Sequence, residues 1–176
     1  MYQIDLTGKV ALIAGVADKH SLGWHIAGAL ANAGADLVFA VQNPRLQKDV
    51  EALINRTSLI SPDRCLIICC DVRWEREIDN LFLRSEERFG KLDFLIHSIA
   101  FAPPKALQGR FLNTTKSGFL LAMEVSVFSL VSLSRRFAKI ASPGASIVTL
   151  THGRLYASIP SLQRNGAGKS CSGGYC

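Results

Sequence analysis

The chain has 176 residues, 48% of them hydrophobic, and a mean hydropathy of +0.21, which predicts one globular domain and leaves no room for a second. The formal charge of +6 does not indicate nucleic-acid binding, because half of the excess lies in residues 152–176 and the rest is spread along helices of mixed charge. The apolar runs at 65–70 and 118–125 are far shorter than the roughly 18 residues that would span a bilayer. The first ten residues lack a basic segment followed by an apolar one, so we expect no signal peptide, no membrane span and a cytoplasmic protein.

The cysteines indicate free thiols in a reducing compartment. Their number, five, is odd, and Cys65, Cys69 and Cys70 fall in an apolar run of strand length, where we expect buried thiols. Cys171 and Cys176 lack the paired CxxC spacing of a zinc site. We therefore predict neither a disulfide framework nor a metal site.

Apolar runs of strand length alternate with segments of helical periodicity along the chain. Runs rich in Val, Ile and Leu on both faces, separated by helices of ten or more residues, are typical of parallel strands joined by right-handed crossovers. The sequence therefore predicts a doubly wound α/β sheet of the Rossmann type with three layers. Strands are predicted at 9–15, 35–41, 64–72, 92–100 and 145–150, and helices at 21–33, 46–55, 74–89 and 116–140, with a loop at 103–115.

The turn after the first predicted strand has the residues of an anion-binding site. It reads Gly15-x5-Ser21-x-Gly23 rather than the usual GxGxxG. Gly15 would let the backbone approach a diphosphate, and Ser21 would cap a helix whose N–H groups and positive dipole end face that anion. A glycine after a strand and a serine before a helix are also ordinary turn and cap residues, and this alternative is equally open.

Polar residues end the second and third predicted strands. No acid follows the second strand, where nucleotide-binding folds place a ribose-reading carboxylate; Gln42 could bind the ribose there, and Arg45 leaves a phosphorylated ribose open. Asp71 and Val72 follow the third strand, where an adenine would rest. The alternative for Asp71 is that it caps the next helix.

The segment HSIAFAPP ends the fourth predicted strand at the carboxyl edge of the sheet, where ligands bind in such folds. His97 could be taken for a catalytic base. A histidine within an apolar strand is more often a packed core residue, and we favour that interpretation.

Several segments together resemble one enzyme family. LTGKVALIAGVADKHSLGWHIAGALANAGADLVF, CDV, LDFLIHSIAFAP and SIVTLT, in this order and spacing, resemble the bacterial and plastid-type enoyl-acyl-carrier-protein reductases, a divergent branch of the short-chain dehydrogenases/reductases. The resemblance covers about residues 3–151. The Gly-x5-Ser turn and HSIAFAP distinguish this family from its ordinary relatives, which carry TGxxxGxG and NNAG.

The resemblance implies an oxidoreductase of fatty acid biosynthesis that uses NADH, with NADPH as the alternative. Such an enzyme passes a hydride to the β carbon of a trans-2-enoyl thioester on acyl carrier protein, a tyrosine stabilises the resulting enolate, and a lysine holds the nicotinamide ribose. The family is homo-oligomeric, as a tetramer. Implied cofactor-binding residues are Gly15, Ser21, Leu22, Gln42, Asp71, Val72, Ser98, Ile99 and Lys169, and Ala102 is the implied substrate contact.

The resemblance fails at the catalytic tyrosines. Counted from the fifth strand, the family's first tyrosine falls on His152, its proline on Pro160, its second tyrosine on Leu162 and its lysine on Lys169. Leu162 has no hydrogen bond to offer an enolate, and His152 is one donor at the outer position. We therefore expect no intact catalytic set and doubtful activity in this chain.

The last 25 residues lose all apolar periodicity. Read one base downstream, degenerate codon choices from Leu162 onward can spell the family's own YNVMGLAK, so we hypothesise a single-base frameshift just after His152, with the sheet incomplete on that side. Sequencing the gene tests this hypothesis. We accordingly predict a partial dinucleotide-binding domain at 1–151 and a non-homologous, disordered tail at 152–176.

The sequence alone is compatible with two functions. One is the reductase, and the other is a non-catalytic dinucleotide-binding or interaction module. A fifth strand without its neighbour would leave an apolar sheet edge exposed, so we also predict poor solubility or dependence on a partner.

Overall fold

The computed structural model describes residues 4–57, 60–108 and 110–151. Within them, five parallel strands form one sheet: β1 (Val10–Ala14), β2 (Asp36–Val41), β3 (Cys65–Cys69), β4 (Leu92–His97) and β5 (Ala141–Thr149). Their spatial order is β3-β2-β1-β4-β5, and all neighbouring pairs are parallel. The chain winds outward from β1 first in one direction and then in the other, so the predicted doubly wound sheet is confirmed.

Helices connect the strands. They are α1 (Leu22–Asn32), α2 (Pro44–Arg56), α3 (Glu75–Phe89), the short α4 (Pro104–Leu107), α5 (Lys116–Met123) and α6 (Ser129–Ile140). A π-helical turn, Glu124–Phe128, joins α5 to α6, and we call the continuous segment 116–140 the long helix. Single 3₁₀ turns lie at Pro62–Arg64 and Phe111–Asn113.

The side chains of β1 alternate between two cores, one on each face of the sheet. Leu12 packs with α3 and α6 on one face, and Ile13 packs with α1 and α2 on the other. Because successive side chains of a strand point to opposite faces, a strand covered on both sides must be apolar throughout. All five residues of β1 are buried, and the molecule has the three layers that the sequence predicts.

Several predicted boundaries are wrong by a few residues. The second helix begins at Pro44 rather than at residue 46, because proline suits the first helical position and the Asn43 side chain caps Leu46 N–H at 3.0 Å. The fourth strand ends at His97 rather than at residue 100. The fifth begins at Ala141 rather than at residue 145, and its pairing with β4 shifts between Leu92 and Phe94. The predicted loop at 103–115 contains α4 and a 3₁₀ turn.

The cysteine prediction is partly wrong. Cys70 is buried, and this burial raises the pKa of its thiol to about 12. Cys65 and Cys69 are only half-buried, since β3 lies at the edge of the sheet. The sequence indicates an apolar strand at this point but not its position in the sheet. Cys171 and Cys176 lie outside the described residues.

The long helix has the length and composition of a membrane span, with a mean hydropathy of 1.6. Uninterrupted apolar runs do not reveal it, because polar residues divide the segment, and core helices of soluble proteins share this length and composition. Polar contacts hold its C-terminal half on α3. Ser132 Oγ donates to Glu75 Oε1 at 2.9 Å, and Arg136 binds both Glu75 and Asp79. The helix therefore packs on the domain through this half.

Candidate functional site

A cleft of about 180 Å³ opens at the carboxyl ends of the inner strands. Because β1 lies between β2 and β4, the strand order reverses there, and in open α/β sheets this reversal creates the ligand-binding crevice. The cleft is lined by six of the predicted residues, Gly15, Gln42, Asp71, Val72, Ser98 and Ile99, together with Val16, Ala17, Ala40, Val41, Leu46, Cys70, Ala100, Phe101 and Val125.

The floor of the cleft is formed by two backbone segments in close approach. Gly15 follows β1 with φ +103°, and a Cβ atom built on it would lie 2.2 Å from the Ser98 carbonyl oxygen. Ser98 N–H in turn donates to the Ala14 carbonyl at 2.8 Å. Any side chain at position 15 would meet the turn after β4 and also strain the backbone. The glycine therefore allows the turns after β1 and β4 to lie side by side at the floor of the cleft.

Ser21 stands at the N-cap of α1, but its side chain does not cap the helix. Its Oγ accepts hydrogen bonds from Ala17 N–H at 3.0 Å and Asp18 N–H at 2.9 Å. The predicted capping bond is therefore wrong, because the preceding turn uses the hydroxyl. The first turn of α1 has no side-chain cap and no acidic residue of its own, and the Asp18 carboxylate lies just before it, where it accepts from Ser21 Oγ at 3.3 Å.

A polar cluster lies between the ends of β2 and β3. Arg73 Nε donates to Asp71 Oδ1 at 3.0 Å and to Oδ2 at 3.1 Å, and Nη2 also binds Oδ2. Gln42 Nε2 donates to the same Oδ2 at 3.4 Å. The bond from the Arg73 side chain is the main reason why the pKa of Asp71 lies below its ordinary value, so the carboxylate stays ionised.

Asp71 does not cap the next helix. Its Oδ1 accepts from Arg73 N–H at 3.1 Å within the turn before α3. The N-cap of α3 is Trp74, which makes no side-chain capping bond. The alternative that explained Asp71 as a helix cap is therefore wrong, and its carboxylate lies at the cleft, paired with Arg73.

His97 is a packed core residue, as the sequence favoured. It is buried, and its Nε2 lies 2.8 Å from Ser129 Oγ, which itself donates to the Val125 carbonyl at 2.7 Å. Because the Ser129 hydroxyl donates its only proton to Val125, His97 Nε2 must be the donor to Ser129 Oγ. The other ring nitrogen, Nδ1, then accepts from Thr149 Oγ1 at 3.3 Å. Burial lowers the pKa of His97, and the ring is neutral.

The other predicted residues lie away from the cleft lining. Leu22 is exposed on the first turn of α1, and Ala102 is half-buried beside Phe101, whose backbone N–H and carbonyl both bind Ser126 Oγ. His152 and Lys169 lie outside the described residues.

Among the residues at or beside the cleft that were not predicted, three differ in the signal that the sequence offered. Val125 comes from the long helix, where no local pattern marks it. The sequence pattern around Cys70 indicates an apolar strand and nothing of its position at the cleft. Arg73 follows Val72 directly, and its positive charge beside Asp71 was the available signal.

Comparison with known proteins identifies the family. A sequence profile described as "Enoyl-(Acyl carrier protein) reductase" matches residues 15–171. The chain is 37% identical over 147 residues to enoyl-[acyl-carrier-protein] reductase (NADH) 1 of Rhizobium meliloti, and 36% identical over 147 residues to the reductase of Bacillus cereus. Each alignment covers 84% of this chain, against 52% and 56% of those two proteins.

Solved structures agree with the sequence comparison. The reductase (NADH) of Aquifex aeolicus superposes with a TM-score of 0.79 at 36% identity, over 88% of this chain and 65% of that one. The reductase of Anaplasma phagocytophilum in complex with NAD gives a TM-score of 0.78 at 31% identity, over 88% of this chain and 58% of that one. The chain thus spans about half to two-thirds of the length of these relatives. Since the profile matches most of its residues, this chain belongs to the enoyl-acyl-carrier-protein reductase family.

Proposed function

We propose that this chain binds NADH in the cleft and is the cofactor-binding part of a reductase that converts trans-2-enoyl-acyl-carrier-protein to acyl-acyl-carrier-protein in fatty acid biosynthesis. The observation that carries the proposal is the close approach of Gly15 to Ser98, which keeps side chains out of the floor of a cleft at the strand-order reversal. The named functions of the relatives support it.

Each part of the dinucleotide has a matching part of the cleft. The diphosphate would lie at Gly15 and the uncapped first turn of α1, beside Ser21 and Leu22, where backbone N–H groups and the helix dipole favour an anion. Gln42 would hydrogen-bond the adenosine ribose, with Asp71 and Val72 at the adenine. Ser98 and Ile99 would hold the nicotinamide half. When bound, NADH supplies the hydride that the reaction requires.

Catalysis depends on a group that stabilises the enolate oxygen. Leu162 stands at the family's tyrosine position by spacing and offers no proton, and losing one oxyanion donor typically costs on the order of 10²–10³ in rate. His152 and Lys169 remain the candidates for the other family positions, with Ala102 toward the acyl chain. We therefore expect cofactor binding with little or no turnover.

The second candidate function is a non-catalytic dinucleotide-binding or interaction module. Both candidates are tested by titrating the chain with NADH and by following NADH oxidation with a short trans-2-enoyl thioester. Turnover would support the reductase and exclude the module. Binding without turnover, the result expected here, would show that the chain keeps the cofactor-binding part of the reductase without its catalytic step, and absence of NADH binding would overturn the proposal. Gly15→Ala is the control, because its Cβ would clash with the Ser98 carbonyl and displace the two turns that form the floor of the cleft.

We also propose that the protein acts in the cytoplasm and self-associates. The long helix exposes an apolar stripe, Phe119, Leu120, Met123, Val127, Phe128 and Val131. Exposed apolar patches of this kind mark interaction sites, and the family resemblance implies a homo-oligomer, with a tetramer as its complete form. Sedimentation should give a mass above that of one chain, and replacing Phe119 and Val127 by Glu should lower it.

A further inference from the structure

One hydroxyl group holds the segment that follows β4. Ser126 Oγ accepts from Phe101 N–H at 2.9 Å and donates to the Phe101 carbonyl at 3.0 Å. The two residues are 25 positions apart in sequence, and Ser126 belongs to the π-helical turn of the long helix. A single side chain therefore binds both polar backbone groups of Phe101, and within the described ranges these groups make no other hydrogen bond.

Ser126 makes this long-range contact instead of a local one. A serine within a helix can donate to the carbonyl group four residues earlier, and Ser85 and Ser129 both do so at 2.7 Å. Because a hydroxyl has a single proton, Ser126 cannot make that bond while it donates to Phe101. The long helix is thereby tied to the segment after β4.

The π-helical turn brings two consecutive residues to this segment. Val125 lines the cleft together with Phe101, and Ser126, the next residue, binds the Phe101 backbone. Turns of this kind inside α-helices occur frequently at functional sites. The turn thus joins the long helix to one wall of the cleft.

The segment that Ser126 holds has few other attachments. Between β4 and Pro103 it forms neither helix nor strand, and its described backbone hydrogen bonds are those of Ser98 N–H, to β1, and of Phe101. Phe101 is 42% exposed at the cleft, and Ala102 follows it directly. A binding segment that is fixed in advance loses less conformational entropy when a ligand binds. Ser126 is the side chain that fixes this one.

We propose that Ser126 is a positioning residue for the substrate. Its hydroxyl fixes Phe101 and Ala102 where the enoyl chain binds, so that affinity for the enoyl thioester depends on it and affinity for the cofactor does not. Ser126 does not itself line the cleft, and its effect is exerted through Phe101. This inference rests on the proposed reductase function, in which Ala102 lies toward the acyl chain.

The test compares the whole chain in the wild type, Ser126→Ala and Ser126→Thr. Calorimetry measures the binding of NADH alone, and then of trans-2-butenoyl-coenzyme A in the presence of NAD⁺, which has no hydride to transfer. In Ser126→Ala we expect thioester affinity to fall on the order of tenfold, as for loss of hydrogen bonds that hold a binding segment, with NADH affinity within about twofold of wild type. Ser126→Thr should keep thioester affinity, because it keeps the hydroxyl.

Ser134→Ala is the matched control. It removes the hydroxyl of another half-buried serine further along the same helix, and it should change neither affinity. Denaturant unfolding of all variants shows that each is folded under the conditions of the titrations.

Amide hydrogen exchange tests the tether itself. Phe101 N–H should exchange on the order of tenfold faster in Ser126→Ala, because its acceptor is gone. Ser98 N–H, which donates to the Ala14 carbonyl at 2.8 Å, should exchange at the wild-type rate. An equal rise at both positions would show that the substitution loosens the sheet as a whole, and it would overturn the positioning role.

The titrations separate this inference from the proposed function. If the wild type binds NADH but not the thioester, the inference is overturned and the cofactor-binding proposal stands. An equal loss of both affinities in Ser126→Ala, no loss of either, or a selective loss in Ser134→Ala would also overturn the inference. A loss in Ser126→Thr as large as that in Ser126→Ala would attribute the effect to packing and overturn it as well. If the wild type binds neither ligand, both proposals fail.

Discussion

Gly15 sets the distance between the turns after β1 and β4. In Gly15→Ala the new Cβ would lie 2.2 Å from Ser98 O, at a φ of +103° that L residues rarely adopt. Clash and backbone strain add, so we expect the free energy of unfolding to fall by about 2 kcal/mol or more, together with loss of NADH binding. Denaturant unfolding and cofactor titration measure the two effects.

Gly90→Ala is the matched control for Gly15→Ala. Gly90 has φ +77° and ψ −67°, the conformation of a γ-turn, but nothing within 4 Å of its added Cβ, so it should cost only backbone strain of about 1–3 kcal/mol and leave NADH binding unchanged. Equal loss of NADH binding in the two variants would contradict a special close approach at Gly15.

Buried His97 should make the fold sensitive to acid. Burial lowers its pKa below the ordinary 6.5, so the unfolded chain takes up a proton at a pH where the folded chain does not. Neutral His97 makes its full contribution to the free energy of unfolding above pH 6.5. This contribution is lost as the pH falls toward the pKa of His97 in the folded state, with a limiting slope of about 1.4 kcal/mol per pH unit. Denaturant unfolding at a series of pH values should show this slope. His97→Gln should remove it, while His25→Gln, at an exposed position, should leave it intact.

The residues of the cleft differ in how far the sequence could reveal them. Gln42, Asp71 and Ser98 directly follow apolar strands, so strand periodicity alone brings them to one sheet edge. Their binding roles stay predictions. Ser21 was placed correctly at the start of α1 but given the wrong hydrogen bond, because backbone N–H donors in the preceding turn and in the first turn of the helix lie equally near its hydroxyl in sequence. Arg73 was not predicted, because the oxygen of Asp71 that it shares with Gln42 is recognised only in the tertiary structure.

At the scale of elements, Arg136 fastens the long helix to α3. It binds Glu75 and Asp79, while its side chain is only 17% exposed. We expect Arg136→Met to lower the free energy of unfolding by about 1 kcal/mol at low salt and by less at high salt, because partly exposed ion pairs are screened.

Arg135→Met is the control for that network. Arg135 is exposed on the same helix and lies over the Phe128 ring at 6.0 Å, so its loss should change stability by a few tenths of a kcal/mol. Thermal unfolding at two salt concentrations distinguishes Arg136→Met from Arg135→Met. A salt-independent loss in Arg136→Met would indicate that packing, rather than charge, holds the helix.

At the scale of the whole molecule, β5 is an edge strand of the described sheet. Ile147 and Val148 point to opposite faces and are 45% and 43% exposed, and the outer backbone groups of the strand have no neighbouring strand among the described residues. Such an edge promotes association between chains. We expect Ile147→Lys to reduce aggregation in light scattering, whereas Ile4→Lys, at an exposed isoleucine away from the sheet, should not. Equal effects of both would point to net charge as the cause.

The sequence by itself determined the fold class, the order of strands and helices and the family. These follow from local periodicity and from motifs at fixed spacing, which need no long-range contact to be recognised. The tertiary structure decided which residues meet across long separations in sequence. Gly15 lies against Ser98, Gln42 and Arg73 share one carboxylate oxygen, and His97 binds Ser129. These contacts depend on how the helices pack and on the exact ends of the strands, and a periodic pattern specifies neither. Gly15 of the Gly-x5-Ser turn thereby becomes part of the floor of one cleft, together with the turn after β4.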